Sequence, residues 1–215
     1  MGNQRINTKP PSGCMELLPE EQIEFDRIKN IIESTYTLFG FSALDTPVIE
    51  RTETLLAKED SETETEARKN LYLVKNRNAV FNDREVDLGL RFDLTVPLAR
   101  YVSEHLNDLS FPFRRFHIAK VYRGERAAKG RFREFYQCDI DVIGRNSLSV
   151  KYDAEIPFII YTLFKKLDFG KFTIKINNRK ILNGILESLG VPDESYESVL
   201  NIIDEIEKIR YEEFH

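Results

Sequence analysis

The sequence predicts an α+β fold in which an antiparallel β-sheet is flanked by helices, and three observations carry that expectation. Two long stretches, Phe113 to Tyr122 and Arg131 to Val142, read as strands and are joined by a glycine-bounded basic loop, Gly124 to Gly130, so together they form a β-hairpin. Helical periodicity lies on either side of them, in the run opened by Pro19 and in the run ending near Leu167. Strands and helices do not follow the regular βαβα order of a parallel doubly wound sheet.

The elements follow in chain order. Met1 to Ser12 is polar, carries Pro10-Pro11 and reads as an extended arm. Pro19 opens a helix whose apolar positions Ile28, Ile31, Ile32, Leu38 and Phe39 recur at helical spacing, and Gly40 stops it. Phe41 to Glu50 is an extended segment with Pro47 inside it, which marks an edge or interface strand because proline cannot donate to a ladder. Glu59 to Glu66 is acidic and reads as a solvated loop or helix start. Short strands are expected at Leu71 to Val74 and Leu88 to Phe92, then a helix over Leu94 to Leu106. Asp153 is the expected N-cap of the helix ending near Leu167, with Gly170 just past its end. Phe172, Ile174 and Ile176 alternate as a strand; Asn178 to Leu189, stopped by Gly190, and Pro192 to Arg210 read as further helices.

Composition narrows the function classes. With 215 residues, 41% hydrophobic and 31% charged, the chain is long enough for a large core and is of ordinary globular type. The longest apolar runs, such as Ile156 to Phe164, are too short to span a bilayer, and no apolar signal region opens the chain, so a cytoplasmic protein without a membrane partner is expected. Two cysteines and three scattered histidines fit no metal-ligand spacing. A net charge of −5 argues against coating nucleic acid by bulk charge, so any such contact needs a local patch. Arg114 to Arg133 offers one, with eight Lys/Arg residues against the single acid Glu125.

The most specific chemistry lies in Arg123 to Asp141. From Gly130 onward, Arg131, Arg133, Phe135, Gln137, Asp139 and Asp141 share one strand face, while Phe132, Tyr136, Cys138, Ile140 and Val142 dominate the other. Cations, then a ring, then an amide, then carboxylates suit a phosphorylated, ring-bearing ligand with a cationic far end. Arginine forks match phosphate oxygens, and Phe135 can stack under a flat base. The plain alternative is an exposed basic hairpin that binds nothing in particular. In Leu90 to Tyr101 (LRFDLTVPLARY), Asp93 and Thr95 sit between apolar residues just before a helix, where capping is the plain alternative. Joined with Gln137 and Asp141, they are acceptors able to hold a primary ammonium group. Neither a Ser/His/Asp triad nor a phosphate-binding glycine loop is present, so chemistry here works by positioning and charge.

Five strings in order resemble the N-terminal part of the catalytic domain of class II histidyl-tRNA synthetases, over nearly all 215 residues. KPPSG resembles that family's opening. GFSALDTPVIERTETL, about 40–56, resembles motif 1, the dimer-forming element with its proline, here Pro47. LRFDLTVPLARY resembles the amino-acid-binding segment, FRRFHIAKVYRGERAAKGRFREFYQCDIDVIG, about 113–144, resembles motif 2, and INNRKILNGIL resembles the strand–helix segment after it. The resemblance implies the antiparallel catalytic core of class II synthetases and an adenylation site. Arg123 is then the catalytic motif 2 arginine on the ATP α-phosphate and the substrate carboxylate. Glu125 and Arg131 surround ATP, with Phe135 on adenine. Asp93, Thr95 and Gln137 bind the histidine ammonium group, and Asp141 lines the same pocket. It also implies Mg²⁺ with ATP, the acceptor end of tRNA(His) at the Gly124 to Gly130 loop, and a homodimer through motif 1.

The resemblance is partial. A histidine-specific segment, motif 3 and an anticodon-binding domain have no counterpart in these residues, and Glu16 stands where the family often has aspartate. The chain is therefore expected to be an N-terminal piece of a synthetase, at best a partial active site alone, or a paralogue that has lost the chemistry. Two other readings remain beside the ligase: a regulatory subunit of ATP phosphoribosyltransferase, which is a synthetase-like paralogue, and a non-catalytic dimerisation module.

Overall fold

Helix α1, Pro19–Leu38, opens the regular structure of the computed structural model, which describes residues 6–57, 70–75, 80 and 86–203. Proline at the first helical position costs no hydrogen bond there, and the Glu21 carboxylate accepts from the Leu18 N–H at 2.8 Å. Gly40 ends the helix at φ +78°, a left-handed conformation that favours glycine.

The segment after Gly40 serves two sheets. Strand β1, Ser42–Ala43, lies parallel to β4, Phe113–Tyr122, and β4 pairs antiparallel with β5, Glu134–Ile143, in the order β1-β4-β5. Strand β2, Ile49–Arg51, pairs antiparallel with β3, Leu88–Leu90. Pro47 sits in the break between β1 and β2, not within a strand, which spares both ladders a missing donor. The dominant pairing is antiparallel as predicted, and β1 adds a short parallel neighbour. Helix α2, Thr52–Leu55, follows β2 directly, and α3, Thr95–Glu104, follows β3. Leu71 to Val74 contributes an isolated bridge, Leu73 to Gly89, and no full strand. The acidic stretch Glu59 to Glu66 lies outside the described residues.

Two clusters of apolar side chains hold residues 1–170, which form one compact unit. Tyr36, Phe41, Phe116, Ile159 and Leu163 are buried where α1 and α4, Lys151–Lys166, cover one face of the β1-β4-β5 sheet, and Ile118, Ile140 and Val142 pack against them. Leu55, Leu56 and Leu71 form a second cluster beside β2 and β3, with Phe92 against it. Arg114 ties the first layer together. Its guanidinium donates to both Glu155 carboxylate oxygens at 3.0 and 2.7 Å and to the Phe39 carbonyl at 2.8 Å, and lies 4.3 Å from the centre of the Phe41 ring. Helix α4 starts two residues before Asp153, with the Ser149 hydroxyl accepting from the Lys151 N–H at 3.3 Å. Asp153 therefore stands in the first turn, where its charge suits the helix dipole, and is not the N-cap.

Residues 171–215 form a second compact unit. Phe172, Ile174 and Ile176 do not form a strand: alternation alone does not make one, and Ile176 is largely exposed. Helix α5, Arg179–Ser188, matches its expected span, with the Asn178 side chain accepting from the Lys180 N–H at 2.9 Å and Gly190 at φ +70°. The next expected helix opens with a 3₁₀ turn, Asp193–Ser195, and is helical over 196–203; its remainder to Arg210 lies outside the described residues.

Ile159 is fully buried at the centre of the first cluster. Ile159→Ala is expected to lower the unfolding free energy by about 2–5 kcal/mol in urea titrations. A loss below about 0.5 kcal/mol, the range of surface substitutions, would show that α4 does not pack against this sheet face.

Candidate active site

The pairing of β4 with β5 decides which side chains meet. Arg115 stands opposite Asp141, His117 opposite Asp139, Ala119 opposite Gln137 and Val121 opposite Phe135. Side chains alternate across a strand, so this set forms the sheet face turned away from α1 and α4. Arg123 follows at the end of β4, its N–H donating to the Arg133 carbonyl at 2.8 Å. The polar face expected from the sequence is thus built from both strands of the hairpin.

At one end of this face the Arg123 guanidinium lies 5.1 Å from the centre of the Phe135 ring, and its Nε donates to the Phe92 carbonyl at 3.2 Å. Arg131 and Arg133, expected on the same strand face as Phe135, do not join Arg123 there. Arg131 pairs with the Glu125 carboxylate across the hairpin tip, where Ala128 and Arg131 exchange backbone hydrogen bonds. Arg133 turns toward the N-terminal arm, donating from Nε to the Glu125 carbonyl at 2.9 Å. Gly13, at φ +84°, packs so closely on Arg133 that an added Cβ would stand 2.8 Å from its Cγ. The Gly13 carbonyl accepts from the Arg133 N–H at 2.8 Å, so the KPPSG turn is pinned to the root of β5.

Toward the other end lie Gln137, Asp139 and Asp141 with Arg115. Arg115 is completely buried, a feature the charge count of the sequence missed. Its Nη2 lies 2.7 Å from Asp141 Oδ2 and donates to the Leu94 carbonyl at 3.2 Å. The approach to Asp141 is an ion pair whose angles fall short of a hydrogen bond. Arg115 Nε and Nη1, Gln137 Oε1 and Asp141 Oδ2 are all buried without a hydrogen-bond partner. Burial pushes the carboxyls of Asp139 and Asp141 above the usual range, while the Arg115 guanidinium pulls both back. Asp93 adds a third negative charge felt by both, and its Oδ1 accepts from the Val96 N–H at 3.0 Å. The capping role is therefore real, and it leaves Asp93 beside the carboxylates of β5. Thr95 behaves differently: it is exposed and lines a separate groove of about 500 Å³ with Glu53, Thr54 and Arg100.

The basic patch read from Arg114 to Arg133 is also corrected. Arg114 and Arg115 are spent inside the fold, and Lys120 pairs with Glu134 at 2.7 Å. Arg126 and Lys129 are the exposed cations of the loop proper. A signal for Arg115 and His117 existed in the sequence: both fall on the odd-numbered register of β4 that leads to Arg123. His117 is buried, and its Nε2 donates to Asp45 Oδ1 at 2.8 Å while Nδ1 has no partner. The same oxygen lies 3.4 Å from Nη1 of buried Arg91, which also donates to the Thr46 carbonyl at 2.7 Å. Among the described residues, no group of three or more His, Cys, Asp or Glu side chains is arranged to hold a metal ion. No helix among them is long and apolar enough to cross a membrane.

What this face can do follows from its charges. Three carboxylates, Asp93, Asp139 and Asp141, stand against the guanidiniums of Arg115 and Arg123, which leaves a charge deficit that one cationic group fills. Gln137 Oε1 offers it a buried acceptor, and the stacked Arg123–Phe135 pair offers an anion and a flat ring their partners.

A family model described as Histidyl-tRNA synthetase matches residues 13–210. The chain is 59% identical to a histidine--tRNA ligase of Clostridium tetani (strain Massachusetts / E88) over 197 residues, covering 92% of this chain and 42% of that protein. A crystal structure of histidyl-tRNA synthetase from Nostoc sp. PCC 7120 superposes with a TM-score of 0.80 at 40% identity, over 94% of this chain and 44% of that one. An ATP phosphoribosyltransferase regulatory subunit/histidyl-tRNA synthetase from Bacillus halodurans superposes with a TM-score of 0.75 at 22% identity, over 98% of this chain and 52% of that one, which shows a shared fold. The chain thus spans roughly half or less of the length of each of these proteins.

Burial holds the His117 imidazole below its ordinary value near 6.5 despite its bond to Asp45. The unfolded chain therefore takes up the proton first, so the contribution of neutral His117 is full above about pH 6.5 and is lost as pH falls through the lower folded value. Unfolding free energy is expected to decline between about pH 7.5 and 5, and His117→Gln to flatten part of that slope. An identical slope in the variant would contradict a buried neutral imidazole.

Proposed function

The chain belongs to the histidyl-tRNA synthetase family, and from that premise we propose that it is the N-terminal part of the catalytic domain of a histidine–tRNA ligase, bearing one side of its adenylation site. The observation that carries this reading is the sheet face itself: a guanidinium over an aromatic ring at one end, and buried open acceptors among carboxylates at the other. Histidine and ATP have the matching features, an ammonium group and a carboxylate on one, phosphates and a purine ring on the other.

In the proposed reaction, the histidine ammonium group is held by Asp93 and Gln137, with Asp141 lining the pocket; Thr95, which opens onto the separate groove beside Glu53, takes no part. Adenine stacks on Phe135. Arg123 bridges the ATP α-phosphate and the substrate carboxylate, drawing together two anions that otherwise repel. One carboxylate oxygen of histidine attacks the α-phosphorus, the bond to the bridging oxygen of pyrophosphate breaks, and histidyl-adenylate forms. A terminal hydroxyl of tRNA(His) then attacks the acyl carbon, and AMP leaves with the electron pair of the mixed anhydride. Arg123 acts by neutralising charge that develops on the phosphoryl oxygens, and Glu125 and Arg131 hold the loop that closes over ATP. Mg²⁺, when bound, supplies further charge neutralisation as a counter-ion carried by the phosphates. The described residues fit no resident site for it.

Two further surfaces take partners in this reading. Exposed Arg126 and Lys129 on the 124–130 loop suit the phosphates of the tRNA acceptor end. The motif 1 segment leaves Val48 and Ile49 exposed beside Pro47, an apolar edge suited to a second copy of the chain. A ligase with these substrates works in the cytoplasm. The regulatory-subunit reading is not favoured: the relative at 59% identity is named a histidine--tRNA ligase, and a likeness at 22% identity speaks for the fold alone.

Arg123→Ala, made in the complete ligase, is expected to slow histidine-dependent ATP–pyrophosphate exchange by two or more orders of magnitude. That loss corresponds to the roughly 2.7–4 kcal/mol typical of a preorganised donor, and the circular dichroism spectrum should be unchanged. Exchange at the wild-type rate in the folded variant would sink the assignment.

A further inference from the structure

Arg115 is the largest fully buried side chain among the described residues. A buried guanidinium is costly, and an apolar side chain of similar volume commonly packs as well or better. The fold does not satisfy this one by hydrogen bonding. Only Nη2 has a hydrogen-bond acceptor, the Leu94 carbonyl, and Nε and Nη1 have none. Packing alone gives no reason for an arginine here.

The charges around it do. Asp139 and Asp141 face it from β5, Asp93 from the segment leading into α3, and His117 and Arg123 are the titratable and charged side chains on its own strand face. Asp141 is the nearest, at 2.7 Å. We propose that Arg115 is a positioning residue of the amino-acid pocket: its buried guanidinium holds the Asp141 carboxylate in place and ionised, so that the pocket presents a fixed negative charge to the cationic part of its substrate. This inference rests on Asp141 lining the histidine pocket, as proposed above. Burial by itself drives Asp141 toward the neutral acid, and neighbouring Asp93 drives it the same way; Arg115 opposes both. The Leu94 carbonyl contact adds a mechanical link, since it ties the same guanidinium to the start of α3, where Asp93 and Thr95 reside.

The test uses the complete ligase and follows pyrophosphate exchange across pH, with KM for histidine and for ATP measured separately. Arg115→Met is expected to raise the histidine KM roughly tenfold or more, with the ATP KM within about twofold of wild type. It is also expected to move the acid limb of kcat/KM for histidine upward by about one pH unit, because Asp141 then protonates more readily. Arg115→Lys keeps the charge but not the fork, so its acid limb should stay in place while its histidine KM rises by a smaller factor. In an Asp141→Asn background, Arg115→Met should add little further loss in histidine KM. Parallel losses in both KM values with an unmoved acid limb would reduce Arg115 to a packing residue and overturn the proposal, as would wild-type kinetics in Arg115→Met. Should Arg115→Met fail to fold, Arg115→Lys decides: a raised histidine KM with unchanged ATP KM supports the role, and a wild-type histidine KM overturns it. An inactive wild-type ligase would sink the adenylation reading as well, whereas normal wild-type exchange with indifferent Arg115 variants sinks this inference alone.

Discussion

The register of β4 against β5 runs unbroken from Phe113 opposite Ile143 to Tyr122 opposite Glu134, and most side chains of functional interest take their position from it. A slip of β5 by one residue would send Gln137 and Asp141 into the layer of α1 and α4 and turn Ile140 and Val142 to the opposite face. Burial of Phe116 against Tyr36, Ile159 and Leu163 therefore fixes the site as firmly as it fixes the core. The same hairpin has one face that excludes water and one that collects charge.

Adjacent arginines show how local this division is. Arg114 points into the helical layer, where Glu155, a backbone carbonyl and an aromatic ring use its fork well. Arg115, one residue on, points to the opposite face and lies buried among carboxylates with two of its nitrogens unpartnered. The first arginine is a structural clamp, and the second makes sense only as part of an electrostatic arrangement. At the hairpin root, the backbone of Gly13 anchors β5 through Arg133, so the N-terminal turn braces the strand that carries Phe135. At the far edge, Asp45 joins His117 and Arg91, linking the loop after β1 to the same sheet face.

Strand alternation in Arg131 to Val142 makes the hairpin and its two faces legible in the sequence, because period-two patterning is a direct consequence of the pleat. Helix α1 with Gly40 and helix α5 with Asn178 were equally legible, since their caps are local chemistry. What escaped depends on partners distant in sequence. The parallel pairing of β1 and the division of Phe41 to Glu50 between two sheets are decided by which strands are available to pair. A sum of charges over Arg114 to Arg133 treats buried and exposed cations alike, so Arg115 looked like part of a solvated patch. Arg131 and Arg133 shared a predicted face with Phe135, yet Glu125 and the Gly13 turn drew them elsewhere. Thr95, two residues from Asp93, opens onto a different groove because the first turn of α3 rotates it away.

The most direct test of the adenylation site is a crystal structure of the complete ligase with a non-hydrolysable histidyl-adenylate analogue. Adenine stacked on Phe135, the phosphate analogue on Arg123 and the ammonium group between Asp93 and Gln137 is the expected result. An analogue seated instead in the depression of about 860 Å³ between Met15, Phe25 and Tyr136, with no contact to Arg123, Asp93 or Gln137, would contradict it.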